Sequence, residues 1–298
     1  MHSKRVRDHL TAYLFLFPGL IVLAVWLVYP VISELNISLH NWNIMPDEVS
    51  PFIWLDNYIR AFEAPRFWSS LKNTGIYALV TVCGQLFFGM VVALMLENIS
   101  RGKVIFRLLY FLPVVTSWVV VSLLFRYLFN SSQGGIINYV LVDILHLLKA
   151  PVSWLTEANT AFVAIDTLGI WKGVGFSMVI FLAALQSIPE EITQAAAIDG
   201  ADYWQSLKAV TLPLMLPTII MVSIMLTFGA FQTYIPVALI TNGGPLHRTE
   251  LVLNYMYQTG FTDLDFGYSS ALAYIMAAIV FSISRFQMRF IKTSALGS

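Results

Sequence analysis

Charge is what this chain has least of. Only 11% of its 298 residues are charged and the formal net charge is zero, against about 25% charged in a soluble domain. That argues against a soluble globular protein, and nothing in the balance suggests nucleic acid or acidic partners. Cysteine occurs once, as Cys83, which excludes an internal disulfide and argues against a cysteine metal site. His2, His9, His40, His146 and His247 show no ligand spacing. The sequence has no Gly-rich Walker-type phosphate loop. It shows no paired carboxylates and no serine with a partner base at suggestive spacing. The expectation is a non-enzyme with no metal and no cofactor of its own.

Apolar residues are abundant, at 58%. Six apolar runs are long enough to cross a bilayer, at roughly 20 residues each: 12–32, 74–96, 108–129, 161–185, 214–239 and 268–291. The reading is an all-α polytopic membrane protein with a single domain over 1–298. The run after Thr11 is too long for a secretory leader and has no small-residue cleavage site, so it reads as an uncleaved first span. Lys4, Arg5 and Arg7 precede it. Arg101, Lys103 and Arg107 fill the loop after the second span, Lys208 the loop after the fourth, and Arg285, Arg289 and Lys292 the end of the chain. Arg60, Arg66, Lys72, Lys149 and Arg248 on the other side are spread over more sequence and mixed with acids. The positive-inside rule then puts both termini in the cytoplasm. The opposite loops are rich in aromatics, including Trp42, Trp54, Trp68 and Trp154. These read either as an interfacial belt or as a docking surface.

A polar island, residues 189–213, separates the fourth and fifth spans. Ala195, Ala196 and Ala197 favour helix and leave little side-chain bulk. Asp199-Gly200 reads as a turn, and Asp202 as the cap of a second short helix. The pattern Gln194, Ala195, Ala196, Asp199, Gly200, Ala201, Leu207 and Pro213 resembles the EAA loop of ATP-binding-cassette importer permeases. Gln194 stands where Glu is usual and Leu207 where sugar permeases often carry an aromatic. Leu55–Tyr58, Phe67–Thr74, Leu182–Pro189 and Thr241–Pro245 extend the likeness to carbohydrate permeases of the maltose and glycerol-3-phosphate importer type. The resemblance implies a type I importer permease fold whose helix-turn-helix loop docks on an ATPase. It also implies the partners: a second homologous permease, an ATPase dimer that binds ATP and Mg, an extracytoplasmic solute-binding protein, and the lipid of a prokaryotic inner membrane.

Such a subunit needs a polar pocket at mid-membrane, and buried polar groups there are costly. The fourth span offers Asp166, Thr167, Gly169, Trp171, Lys172, Gly173, Gly175 and Phe176. Trp171 and Phe176 supply flat faces for a sugar ring, and Lys172 supplies donors. Two readings of Lys172 stay open: solute contact, or pairing with Asp166. In the fifth span Leu226, Gly229, Ala230 and Thr233 share a helical face, with Gln232 beside it. The resemblance places Trp171, Lys172, Gly173 and Phe176, with Leu226, Gly229, Ala230, Gln232 and Thr233, at the family's solute-lining positions. Thr116 and Ser117 near Pro113 read as polar residues bonding within a continuous third span. The expected function is half of the translocation path for a di- or oligosaccharide, polyol or glycerol phosphate ester. The alternative is an ion-coupled secondary transporter, for which Asp166 is the only candidate coupling acid.

Overall fold

The computed structural model describes residues 2–45, 49–99, 101–132 and 135–295, with side chains from 13 to 289 among them. The side chains of Lys4, Arg5, Arg7 and Lys292 lie outside that description. The described residues are almost entirely helical, and their sole β feature is an isolated bridge between His40 and Phe52. Among the described residues five helices are long and apolar enough to cross a membrane, and a pair bent by 94° makes six if the pair counts as one span.

The chain divides into two compact units. The first comprises Met1–Ala64 and Met256–Met276. It contains the first span, Tyr13–Ser38, whose apolar side chains are exposed along its length, as suits a helix solvated by lipid. The segment after this span is tied down by Asn57, which is 5% exposed. Its amide donates to the carbonyls of Ser38 and His40 at 2.9 and 3.0 Å. Tyr58 meets the Ser38 hydroxyl at 2.8 Å. Arg60 pairs with Asp265 at 2.6 Å and lies over the Tyr268 ring. The Leu55–Tyr58 motif therefore serves as a local staple.

The second unit, Pro65–Tyr255 and Ala277–Ser298, holds the second to fifth spans. The second span is Pro65–Glu97 and the fourth Ala158–Gln186. Ala93, Leu96, Met178, Phe181, Leu182, Met215 and Val222 form an apolar core joining them to the fifth span. The Phe67–Thr74 motif receives the loop that follows the Thr241–Pro245 motif. Arg66 grips the buried Glu250 with two bonds, at 2.8 and 2.6 Å. Asn73 donates to the carbonyls of Arg248 and Glu250, and the Thr74 hydroxyl accepts from the Val252 amide. Two sequence motifs about 175 residues apart are thus one interlocked element.

Two spans differ from the continuous helices expected of them. The third is broken into Lys103–Val115 and Trp118–Leu128, bent by 94°. Pro113 has no N–H to give and its ring crowds the preceding turn. Thr116 and Ser117 then turn extended, with ψ of 149° and 133°. The span is therefore not continuous there, while the Thr116 hydroxyl does bond to the backbone beside Pro113, at 2.6 Å to its carbonyl. The fifth span runs Leu212–Phe231, and a short helix Ile235–Ile240 follows a break. Pro236 cannot donate to the Gln232 carbonyl, so the helix stops one turn ahead of it. Asn254 donates to the Tyr234 carbonyl at 3.1 Å, beside the Ala238 amide that opens the short helix.

Candidate functional site

Both breaks border one cavity. It measures about 390 Å³ and lies inside the second unit. The second span contributes Tyr77, Thr81 and Gln85, one helical turn apart. Val114 and Trp118 come from either side of the third-span break. The fourth span gives Gly169, Lys172, Gly173 and Phe176. Met225, Leu226, Gly229, Ala230, Gln232 and Thr233 close the far wall. A second cavity of about 280 Å³ shares Trp118, Gly229, Gln232 and Thr233 with the first and continues to Tyr234, Ile235 and Pro236. Trp118 therefore stands where the two meet.

Eight of the nine residues expected to line a solute site border this cavity, and Trp171 does not. Trp171 points about 100° round the helix from Lys172, away from the Gly169, Lys172, Gly173 and Phe176 side that borders the cavity. Trp171 instead packs on Phe125 at 5.6 Å and lines a separate apolar groove with Phe88, Phe106 and Tyr110. The common helical face drawn through Leu226, Gly229, Ala230 and Thr233 also needs correction. Thr233 lies beyond the helix end and reaches the cavity because the chain breaks there. Its hydroxyl meets the Gly229 carbonyl at 3.3 Å and the Tyr77 hydroxyl at 3.5 Å. A side chain on Gly229 would meet nothing within 4 Å, so this wall opens directly onto free space. A Cβ on Gly173 would collide with the Gln85 side chain, which crosses to the Gly169 carbonyl at 3.2 Å.

Lys172 borders the cavity and does not pair with Asp166. It is 4% exposed, and its ammonium donates to the carbonyls of Pro113, Val114 and Thr116 at 2.7, 3.2 and 2.6 Å. The ammonium also lies 4.8 Å from the Trp118 ring centre. Asp166, six residues back, points to another side of the helix. Its Oδ1 has no hydrogen-bond partner among the described residues. No acidic residue lines the cavity. Its chemistry is hydroxyl, amide and aromatic: Tyr77, Thr81, Gln85, Gln232, Thr233, Trp118 and Phe176. The second-span trio was passed over, although its polar residues recur at helical spacing in an otherwise apolar run.

The loop after the fourth span is a helix Glu190–Ile198, a turn, and a short helix Tyr203–Ser206. Gly200 sits at φ +85°, a region that favours glycine. The Ala201 amide bonds back to the Ala196 carbonyl at 3.0 Å and closes the first helix. Asp202 and Gln205 form a reciprocal capping box, both bonds 2.8 Å. Gln194, Ala195, Asp199, Gly200 and Pro213 are exposed, and Ala196 and Ala201 are partly so. Leu207 is 9% exposed, so it anchors the loop from within and offers no outward contact. Ile198 and Trp204, 85% and 65% exposed, are the most exposed of its large apolar groups, ahead of Tyr203 and Ile192.

Comparison with known proteins matches this architecture. Residues 85–293 match the family described as binding-protein-dependent transport system inner membrane component. The probable ABC transporter permease protein YurN of Bacillus subtilis is 31% identical over 96% of this chain and 98% of its own. The sulfoquinovosyl glycerol transport system permease protein SmoG of Agrobacterium fabrum is 33% identical over 96% and 92%. The trehalose/maltose transport system permease protein MalF of Thermococcus litoralis is 32% identical over 94% and 93%. A crystal structure of a bacterial ABC transporter involved in alginate import shares the fold, with TM-score 0.83 over 98% of both chains at 22% identity. These likenesses support the ATP-binding-cassette reading and give none to the ion-coupled alternative. From the match over most of its length and from relatives above 30% identity across nearly all of it, the chain belongs to the binding-protein-dependent transport system inner membrane components.

Proposed function

We propose that this chain forms half of the translocation path of an ATP-driven importer for a neutral sugar or sugar-like solute. The cavity carries this reading. Its volume lies within the roughly 300–1,000 Å³ of small-molecule sites. Its aromatic faces and neutral hydrogen-bonding groups suit a polyhydroxylated ring. A carboxylate that would repel or bind ions is absent from its lining. The lone cation has all three hydrogens engaged by carbonyls, which leaves none for an anionic ester. The names of the relatives, which include transporters of trehalose/maltose and of the anionic sulfoquinovosyl glycerol, support the sugar class and leave the solute's charge to the cavity argument.

The remaining parts follow from the chain's own deficits. It has one cavity-bearing unit and no phosphate-binding loop, so a second homologous permease, an ATPase dimer holding ATP and Mg, and an extracytoplasmic solute-binding protein complete the assembly. The exposed helix-turn-helix after the fourth span is the surface for the ATPase. The basic clusters, by the positive-inside rule, support a cytoplasmic position for that loop and for both termini.

The test is reconstitution in proteoliposomes with the companion subunits and a labelled neutral disaccharide or polyol. Uptake is expected to require ATP, to persist with a proton uncoupler, and to be lost when the second permease is omitted. Uptake that collapses with the uncoupler, or that proceeds without ATP, overturns the reading.

A further inference from the structure

A buried ammonium that touches no acid needs an explanation, because a cation in a membrane span is costly without partners. Lys172 finds them at the third-span break. A helix that ends inside the bilayer leaves its last carbonyls without N–H partners. The carbonyls of Pro113, Val114 and Thr116 sit at the negative end of Lys103–Val115, where the Pro113 oxygen also accepts from the Thr116 amide at 3.3 Å and hydroxyl at 2.6 Å. The three ammonium hydrogens match three carbonyl oxygens, at 2.7, 3.2 and 2.6 Å. The residues on either side of the break, Val114 and Trp118, are cavity wall. Trp118 also lies over the ammonium and borders the second cavity.

We propose that Lys172 is a positioning residue: it clamps the break of the third span and so holds Val114 and Trp118 as one wall of the cavity, without touching solute. The step from wall to transport rests on the function proposed above; the clamp itself does not. A span bent by 94° has no intrinsic reason to keep one angle once its hydrogen-bond ladder is cut. A fixed cation from a neighbouring helix supplies that reason. Methionine at this position keeps the length and loses the donors. Arginine keeps the charge but offers a planar fork, which does not converge on three oxygens as an ammonium does.

The experiment uses the complete complex labelled with fluorotryptophan and reconstituted in lipid. The Trp118 fluorine resonance is assigned by its loss in Trp118→Phe. In Lys172→Met the resonance is expected to shift or broaden in the absence of any solute. Uptake KM for a neutral disaccharide is expected to rise by about 10-fold, with kcat changed by less than about 3-fold. The ratio of that KM to the KM for the phosphorylated disaccharide is expected to stay at its wild-type value. An unmoved Trp118 resonance overturns the clamp whatever happens to uptake. An altered neutral-to-phosphorylated ratio with an unmoved resonance instead assigns Lys172 to direct solute contact. A moved resonance with unchanged KM supports the clamp and counts against the cavity as the solute site. Should Lys172→Met fail to assemble, Lys172→Arg carries the test, and an unmoved resonance there is equally fatal.

Discussion

The helix-turn-helix loop and the cavity among the second to fifth spans are built on opposite plans. In the loop, every hydrogen bond that fixes the shape closes within a few residues: Asp202 with Gln205, Ala201 with Ala196, Asp199 with Ala195. In the cavity, the shaping contacts join residues far apart in sequence. Lys172 reaches Thr116 across 56 positions, Gln85 reaches Gly169 across 84, and Thr233 meets Tyr77 across 156. Local closure makes an element that keeps its form while its apolar groups stay free for a partner. Long-range closure makes an element whose form depends on how four spans pack, which suits the solute site proposed for it.

The severest challenge to the cavity is to fill it. Thr233 stands at the wall shared by both cavities, and its hydroxyl contacts are long. Thr233→Trp is expected to reduce uptake to background while the complex still assembles and the ATPase still docks. Normal uptake by this variant would remove the cavity from the solute path.

Next in size is the long-range lock between the second span and the loop before the last one. The Glu250 side chain is 3% exposed and Arg66 30%. Breaking a buried pair costs about 3–5 kcal/mol, and the low end applies because Arg66 keeps access to water. Glu250→Ala is expected to lower the thermal midpoint of the purified complex clearly. Loss of transport without loss of stability would show that this loop acts on solute and not as a lock.

These contrasts explain what the sequence disclosed. The loop was legible because its residues name their own partners: Asp199-Gly200 for the turn, Asp202 for the cap. The cavity was legible only where an apolar run carried a conspicuous group, as at Lys172 or Gln232. Even then the partner of Lys172 was out of reach, since three backbone carbonyls leave no mark in a sequence. The polar groups of the fourth span, Asp166, Thr167 and Lys172, fall on different sides of the helix, so no single polar face separated Trp171 from Lys172. Pro113 and Pro236 announced both breaks, yet an apolar run with one proline reads equally well as a continuous span. Tyr77, Thr81 and Gln85 were a missed periodic signal.

Within the loop itself, backbone conformation should matter more than any single bond. A side chain at φ +85° costs roughly 1–2 kcal/mol, and a β-branched one is a worse fit. Gly200→Val is expected to lower ATPase stimulation and uptake together by about 10-fold, the equivalent of 1.4 kcal/mol. The spans should remain inserted. Stimulated hydrolysis at the normal rate would separate this turn from coupling.

The smallest effect belongs to the capping box, and it is the sharpest probe of local closure. Asp202 accepts from the Gln205 amide and Gln205 answers at the Asp202 amide. Both groups are exposed, so water replaces either bond in part. Asp202→Ala is expected to cost about 1 kcal/mol, and Asp202→Asn much less, because Asn caps as well as Asp. Hydrogen exchange at the amides of Tyr203–Ser206 should rise in the Ala variant and stay near wild type in the Asn variant. Exchange in the four spans around the cavity should not change in either. If losing this cap also loosened the second or fourth span, the loop would not be locally closed, and its independence from the cavity would be wrong.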